Sequence, residues 1–441
     1  MKEIQVGLIG LGTVGCGLAK VLDDNSEMIK ERLGVPLRLK RVVDIDLESP
    51  RPVSLPRKIL STQVEDILAD EEIRIVVELI GGMEPAKTFL LEAMKRGKHV
   101  VTANKALLAV HGNELFAAAR KHQVNIAFEG AVGGGIPLIR ALREGLVANR
   151  IGHIYGILNG TANYILTRMA REGTTFAEAL KEAQAQGIAE ADPRLDVEGV
   201  DAAHKIAVLS SLAYCCEIDF DQIHIEGISQ IDPSDIQFAE DFGYQIKLLA
   251  ISRSDGERIE VRVHPTMIPQ EHVLAKVEGA YNAIHISGDA VGDVMLYGLG
   301  AGMMPTGSAV ASDLVDLGRD ILVGNGVRIP PLACEGDAVM VRQIKPMDEL
   351  VINYYFRFCA MDQPGVLSKI SGILGNHDIS IASVIQKGRQ VEGSVPVVMM
   401  THEARERDVR LALAEISDLQ VVTAPTRLIR VENREAVDEE D

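Results

Sequence analysis

Basic residues are the first shortage. The 441-residue chain carries 45 Lys and Arg against 63 Asp and Glu, a formal net charge of −18. Nucleic acid and anionic membrane surfaces are bound through basic patches, so neither is an expected partner. A local basic site for a small anion is compatible with this balance. Long apolar runs are also missing: none approaches the roughly 18 residues that a membrane-spanning helix needs. The N-terminal MKEIQVGLIGLG has neither the long apolar core nor the cleavage site of a signal peptide. Cysteine is scarce. Cys16, Cys215, Cys216, Cys334 and Cys359 are odd in number and lack CxxC spacing. Neither a disulfide framework nor a zinc site is indicated, and reduced thiols in the cytoplasm are the simplest expectation. Repeats and low-complexity tracts are absent.

What is present is ordinary globular material: 47% apolar and 24% charged residues. That amount of chain suggests about three domains. The first half alternates strand and helix. Strands are expected at Ile4–Ile9, Leu37–Ile45, Arg74–Leu79, His99–Thr102 and Asn125–Glu129, with helices after the first strand, near Pro85–Arg96 and around Asn113–His122. This alternation predicts a parallel sheet covered on both faces. From about Arg150 the pattern changes. Helices are expected at Asn163–Arg171, Phe176–Gln186, Val200–Cys215 and Pro305–Ile321. Strands are expected at Ile151–Leu158, Arg258–His264, Ala275–Val277, Ala283–Ser287 and Val294–Leu299. Leu322–Leu350 reads as a connector. Asn353–Cys359, Val366–Asn376, Ile379–Gln386, Pro396–Thr401, Arg405–Ile416 and Leu428–Arg430 then give a βαββαβ order, the ferredoxin-like arrangement.

Gly10-Leu-Gly12-Thr13-Val14-Gly15 follows the first strand and opens a helix. The glycines permit a tight turn, backbone approach to a pyrophosphate and close helix–strand packing. The helix N-terminus supplies N–H groups for phosphates. With strand before and helix after, the motif reads as a dinucleotide site in a Rossmann-type domain. Asp44, at the end of the second strand, suits the ribose hydroxyls of NAD, or simply ends the strand. Lys40 or Arg41 suits the 2′-phosphate of NADP, so NAD and NADP both remain open.

Residues 183–205 read AQAQGIAEADPRLDVEGVDAAHK. Asp201 and Lys205 stand i,i+4 on one expected helix face. Taken alone, this is compatible with a solvated, acid-rich helix start. The segment Ala183-x3-Gly187-Ile-Ala-x2-Asp192-Pro193-x2-Asp196-Val-x-Gly199-x-Asp201-x3-Lys205 resembles the signature of homoserine dehydrogenases. GLGTVG, VTANK ending at Lys105, EGAVGGGIP from Glu129, LNGTANYIL from Leu158 and GLGAGMMPTGSAVASD from Gly298 extend the resemblance over residues 1 to about 345.

The resemblance implies NAD(P)-dependent interconversion of L-homoserine and L-aspartate 4-semialdehyde. It implies Lys205 as acid/base, Lys105 as helper at the reacting oxygen and near the nicotinamide, and Asp201 as orienting group. Reduction of an aldehyde builds negative charge on oxygen, which a lysine ammonium meets with charge and a proton. Lys105, Thr102 and Gly302 would lie along the dinucleotide. Glu190 would hold the substrate ammonium, with Asp196, Asp201 and the Asn159-Gly160-Thr161 loop around it; Asp196 also suits a helix cap. A monovalent cation, sodium, is implied on Glu129 and the backbone oxygens of Val132, Gly134 and Ile136; hard cations favour oxygen ligands. A glycine-rich turn without an ion is the plain alternative.

Asp362-Gln-Pro364-Gly365-Val366-Leu367 resembles the opening of an ACT domain, with Asn376 at the matching ligand cleft. This implies an amino-acid effector, threonine as pathway end product, or a ligand-free dimerisation module. Cutting the chain after about Ile344 is then expected to leave activity and remove inhibition.

The expected domains are 1–150 with 305–345 packing back on it, a substrate and dimerisation domain at 151–304, the ACT domain at 350–432 and an acidic tail at 433–441. A homodimer or homotetramer is expected. A silent amino-acid sensor and a dehydrogenase for another amino acid are the competing readings.

Overall fold

The computed structural model describes residues 3–324, 326–335, 338–386 and 394–433. The fold is α/β, built on two large sheets. In the first, six parallel strands run in the spatial order Leu60–Ser61, Leu37–Val43, Ile4–Ile9, Ile73–Glu78, His99–Thr102 and Ile126–Ala127. The order reverses beside Ile4–Ile9, and such a switch point is where doubly wound sheets bind ligands. The helix Met303–Val323 returns to this domain. Its Val310, Leu314 and Leu317 join the core formed with Leu18, Val21 and Leu22 of the helix Thr13–Asp24. Gly17 and Gly307 let the two helices touch: a side chain at either would run into the other helix's backbone.

The second sheet is mixed. Its path is Gly292–Leu299, Tyr281–Gly288, Ile151–Ile157, Tyr244–Ser254, Ile259–Pro269, Val422–Val431, Val351–Met361, Ser394–Thr401 and Ile381–Ile385. The helices Gly160–Glu172 and Val200–Tyr214 pack on one face of its first half. The last four strands, with helices Val366–Asn376 and Glu406–Ser417, form the expected βαββαβ unit. That unit is continuous with the middle domain. Val422–Val431 runs parallel to Ile259–Pro269, with Thr266 opposite Arg430 and Met267 opposite Val431.

Several expectations are corrected. Ala275–Val277 is not a strand. Val273–Lys276 forms a 3-10 turn capped by His272, whose Nδ1 accepts from the Leu274 N–H, and it tucks Leu274 and Ala275 under the sheet. The helix expected around Asn113–His122 begins at Lys105, because the Asn104 side chain caps it by accepting from the Leu107 N–H at 3.1 Å. Asn125–Glu129 holds only a two-residue strand before a 3-10 turn at Glu129–Ala131. Tyr244–Ser254 is a long strand that simple alternation does not announce. It is central in the sheet and buried on both faces. The helices Ser26–Leu33 and Pro233–Asp241 are also additional; the second has a capping box of Asp232 and Asp235. The thiols are not all reduced: Cys215 and Cys334 form a disulfide, while Cys16, Cys216 and Cys359 are free. The bridge joins residues 119 apart in sequence, so no local spacing announces it. Beyond its first residue, the tail expected at 433–441 lies outside the described residues. Among the described residues, no helix is long and apolar enough to cross a membrane.

Candidate active site

The turn after the first strand is built as a cradle. Gly10 has φ +101°, and a side chain there would meet the Leu79 backbone. A side chain at Gly15 would run into the Gly10 carbonyl, whereas Gly12 faces open space. Thr13 and Val14 open the helix with Gly12 as a cap that has no side chain. The first-turn N–H groups therefore face a gap of the kind a pyrophosphate fills. Asp44 braces this turn: its Oδ2 accepts from the Leu11 N–H at 2.5 Å and its Oδ1 from the Asp46 N–H at 2.9 Å. Lys40 is drawn to Asp70 and Glu72, and the Arg41 guanidinium donates to the Lys58 carbonyl. The cation beside Asp44 is instead Arg51, 3.5 Å away, with its Nε buried and without a partner among the described residues. Sequence spacing gave Arg51 no signal, because the loop around it is irregular.

At the carboxyl edge of the same sheet, Thr102 is buried and donates to Glu78 Oε2 at 2.6 Å. Asn104 donates to the Gly82 carbonyl at 2.6 Å. These bonds fix the turn that starts the Lys105 helix. That helix packs on the helix Val200–Tyr214, which brings two lysines from opposite domains to one carboxylate. Asp201 Oδ2 lies 2.6 Å from Lys205 Nζ, and its Oδ1 lies 3.2 Å from Lys105 Nζ. Lys205 also donates to the Leu158 carbonyl at 2.6 Å. Asn159 Nδ2 donates to Asp201 Oδ2 at 2.8 Å and to Asp196 Oδ1 at 2.7 Å. Its Oδ1 caps the helix Gly160–Glu172 through the Ala162 N–H.

Charge in this cluster is balanced locally. Burial pushes the Asp201 carboxyl up, but Lys205 and Lys105 outweigh it and hold the group well below the usual carboxylate range. Burial raises Asp196, and nearby Asp201 adds to this against the Asn159 hydrogen bond. Lys205 and Asp201 are buried while Lys105 is part-exposed. Lys105 is thus the member of the cluster that solvent reaches.

Other named positions are arranged around this centre. Gly160 packs against the Ala280 backbone, and Thr161 Oγ1 donates to the Ile188 carbonyl at 3.0 Å, tying down the loop that carries Glu190. The Glu190 side chain is exposed and joins none of the hydrogen bonds of the cluster in this structure. Asn282 is a further polar residue at the site. Fully buried at the start of the Tyr281–Gly288 strand, it donates to the Leu158 carbonyl at 2.9 Å, the same oxygen that receives Lys205. Gly300 owes its lack of a side chain to Asn282, which fills that space, and Gly302 has φ +132° at the start of the helix Met303–Val323.

Glu129 is buried under the next loop. Its two carboxylate oxygens accept from the Ile139 and Arg140 N–H groups at 3.0 and 2.9 Å, and its own N–H donates to Asp313. Burial raises Glu129, the two N–H groups acting against it. Burial and the facing Glu129 push the Asp313 carboxyl up to about 7. Gly133 and Gly134 have φ of +75° and +57°, which turns the Val132–Ile136 backbone tightly beneath Gly300. Both features fit a small cation: paired buried carboxyls and a tightly wound stretch of carbonyls. In the C-terminal unit, Gly365 has φ +86° and starts the Val366–Asn376 helix; Asp362 and Asn376 are exposed at its two ends, and Val366 is buried.

The sequence matches three family models: "Homoserine dehydrogenase, NAD binding domain" over 10–129, "Homoserine dehydrogenase" over 137–315 and "ACT domain" over 354–420. The homoserine dehydrogenase of Neisseria gonorrhoeae is 46% identical over 98% of this chain and 99% of that protein. That of Bacillus subtilis is 41% identical at the same coverage. Among solved structures, a homoserine dehydrogenase from Thiobacillus denitrificans superposes with a TM-score of 0.91 at 45% identity, covering 98% of this chain and 99% of that one. A hyperthermophilic archaeal homoserine dehydrogenase in complex with NADPH covers 74% of this chain and all of its own, with a TM-score of 0.62 at 26% identity. The chain belongs to the homoserine dehydrogenase family and is an oxidoreductase with a nicotinamide-dinucleotide-binding domain and a C-terminal ACT domain.

Proposed function

We propose that Lys205 exchanges the proton of the reacting oxygen as L-homoserine and L-aspartate 4-semialdehyde interconvert. The observation that carries this is the shared carboxylate, with Lys205 and Lys105 both held on Asp201. The bound dinucleotide supplies or takes up the hydride at the carbon. In reduction, Lys205 gives a proton to the oxygen as negative charge builds there, and Lys105 adds a second positive charge. In oxidation, Lys205 takes the hydroxyl proton. Asp201 keeps both amines aimed at one point. Glu190 and Asp196 receive the substrate ammonium, with Asn159, Gly160 and Thr161 as the floor. The test is reduced-nicotinamide absorbance with homoserine and NAD(P)+. Homoserine-dependent reduction is expected, and other amino alcohols and hydroxy acids should be poor substrates. A silent sensor would give no signal.

The cradle Gly10, Gly12, Thr13, Val14 and Gly15, with Thr102, Lys105 and Gly302, would line the dinucleotide. Asp44 supports binding of the ribose hydroxyls, and Arg51 supports binding of a 2′-phosphate. Losing a charge-assisted hydrogen bond is worth about 1.5–3 kcal/mol. Arg51→Ala is therefore expected to raise the KM for NADP+ by about tenfold or more, with a smaller change for NAD+. Equal changes for both would remove Arg51 from 2′-phosphate recognition.

A monovalent cation, sodium, would sit on Glu129 and the backbone oxygens of Val132, Gly134 and Ile136. Replacing sodium by choline should lower the rate several-fold, and Glu129→Gln should abolish that dependence. Threonine is the proposed effector at Asp362, Gly365, Val366 and Asn376, where first-turn N–H groups can meet its carboxylate. Asn376→Ala should raise the inhibitory threonine concentration about tenfold with little change in uninhibited kcat. A wild-type inhibition curve in that variant would exclude the cleft.

We also propose a cytoplasmic homodimer or homotetramer. Exposed Tyr281, Tyr297 and Leu299, side by side on the outer face of the Tyr281–Leu299 hairpin, support contact between copies. Working domain limits are 1–150 with 305–345, 151–304 and 350–432.

A further inference from the structure

Ile151–Ile157, Tyr281–Gly288 and Gly292–Leu299 are neighbouring antiparallel strands. His153 and Asp293 both lie opposite Ser287, one on each side, and His285 is two residues from Ser287. Side chains alternate along a strand, so all three project from one face. Diagonal neighbours on such a face stand about 7–8 Å apart at the backbone, within reach of imidazole rings. One ring nitrogen of His153, one of His285 and a carboxylate oxygen of Asp293 lie within 4.8 Å of one another. His285 Nε2 is 3.7 Å from Asp293 Oδ2. The rings of His153 and His285 stack at 5.7 Å, and the His272 ring stands 5.6 Å from His285. His285 Nδ1 is buried with no hydrogen-bond partner among the described residues.

We propose that His153, His285 and Asp293 bind a divalent transition ion of the zinc class. Two imidazoles and one carboxylate suit zinc, cobalt or nickel better than magnesium or calcium. Ligand atoms about 2.0–2.2 Å from such an ion stand roughly 3.3 Å apart. Asp293 Oδ2 already stands 3.7 Å from His285 Nε2, and the three ligand atoms, within 4.8 Å of one another, would draw in by about 1–1.5 Å at most around the ion. The nearby Arg253 does not oppose the ion strongly: it rests on the Tyr155 ring and is paired with Glu432 at 2.6 Å. The site lies on the outer face of the sheet, away from Lys205. Its role is structural. It clips the Tyr281–Leu299 hairpin to the strand that leads into Leu158 and Asn159.

The test uses full-length protein stripped by a chelator and dialysed against Co²⁺ or Zn²⁺, with bound metal counted by mass spectrometry. We expect one ion per chain and a visible Co²⁺ ligand-field band without a thiolate charge-transfer band. His285→Gln should weaken binding by about 100-fold and Asp293→Asn by about tenfold. Asp293 is exposed, so that variant keeps its fold, which an unchanged dehydrogenase rate verifies. No ion on the wild type overturns the proposal. So does undiminished binding in both variants, or a thiolate band.

Discussion

Lys205→Ala is expected to lower kcat by about a thousandfold or more, the range lost when a positioned acid/base is removed, while the dinucleotide binds as before. The two halves of this result have separate physical causes. The cradle Gly10–Gly15 belongs to the parallel sheet, whereas Lys205 sits on a helix of the middle domain. Dinucleotide affinity, read by fluorescence titration, should therefore not change. The fold should also survive, because Asp201 keeps Lys105 at 3.2 Å and Asn159 at 2.8 Å. Lys205→Arg makes the test stricter. It preserves the charge beside Asp201, but a guanidinium does not give up its proton, so it should be nearly as inactive as the alanine variant. Near-normal turnover in either would remove Lys205 from the chemistry.

Glu432→Ala is expected to destabilise the protein by about 3–5 kcal/mol, the cost of leaving a buried ion pair half-made. Glu432 bonds both Arg262, which is 1% exposed, and Arg253. The melting temperature should fall by about 3–5 °C, measured by circular dichroism. The same argument revises the truncation expected to yield an uninhibited enzyme. Removing the chain after about Ile344 deletes the strand paired with Ile259–Pro269. It also deletes Arg430, which bridges Glu226 and Glu406, and Arg357, whose guanidinium grips Asp235 at 2.6 and 2.9 Å. Beyond its short pairing with His224–Ile225, the Ile259–Pro269 strand would be left with an open edge at Thr266 and Met267, a template for aggregation. The truncated protein should melt lower and associate. A soluble fragment with the parent's melting temperature would show that the two parts of the sheet are energetically independent.

These outcomes bear on what the sequence could reveal. The Gly10–Gly15 turn was legible because strand, glycine spacing and helix are local and coincide. The Val200–Tyr214 helix is legible from its apolar positions Ile206, Val208, Leu209 and Leu212, and the C-terminal βαββαβ order from clean changes of period. What escaped was set by distant partners. Tyr244–Ser254 is buried on both faces, so it shows no alternation. Asn282 is a buried polar residue at a strand start whose meaning depends on the Leu158 carbonyl. Arg51 and the Cys215–Cys334 bridge depend on loops meeting in space. The start of the Lys105 helix is obscured because Gly112 and His111 interrupt its apolar face, while Asn104, the residue that caps it, stands directly before the lysine.

The strand pairing between Met267 and Val431 also imposes an order in time. A ribosome adds about 5–20 residues per second, so on the order of ten seconds separates emergence of one strand from its partner. During that interval the middle domain exposes an unfilled edge and the Arg262 guanidinium lacks its Glu432 acceptor. The dinucleotide domain faces a similar delay, because its closing helix Met303–Val323 follows its first helix by nearly 300 residues. Neither domain can therefore be finished on the nascent chain when its own first strands appear. A chaperone that shields the Ile259–Pro269 edge until release should raise the yield of this protein more than one acting at the N-terminus.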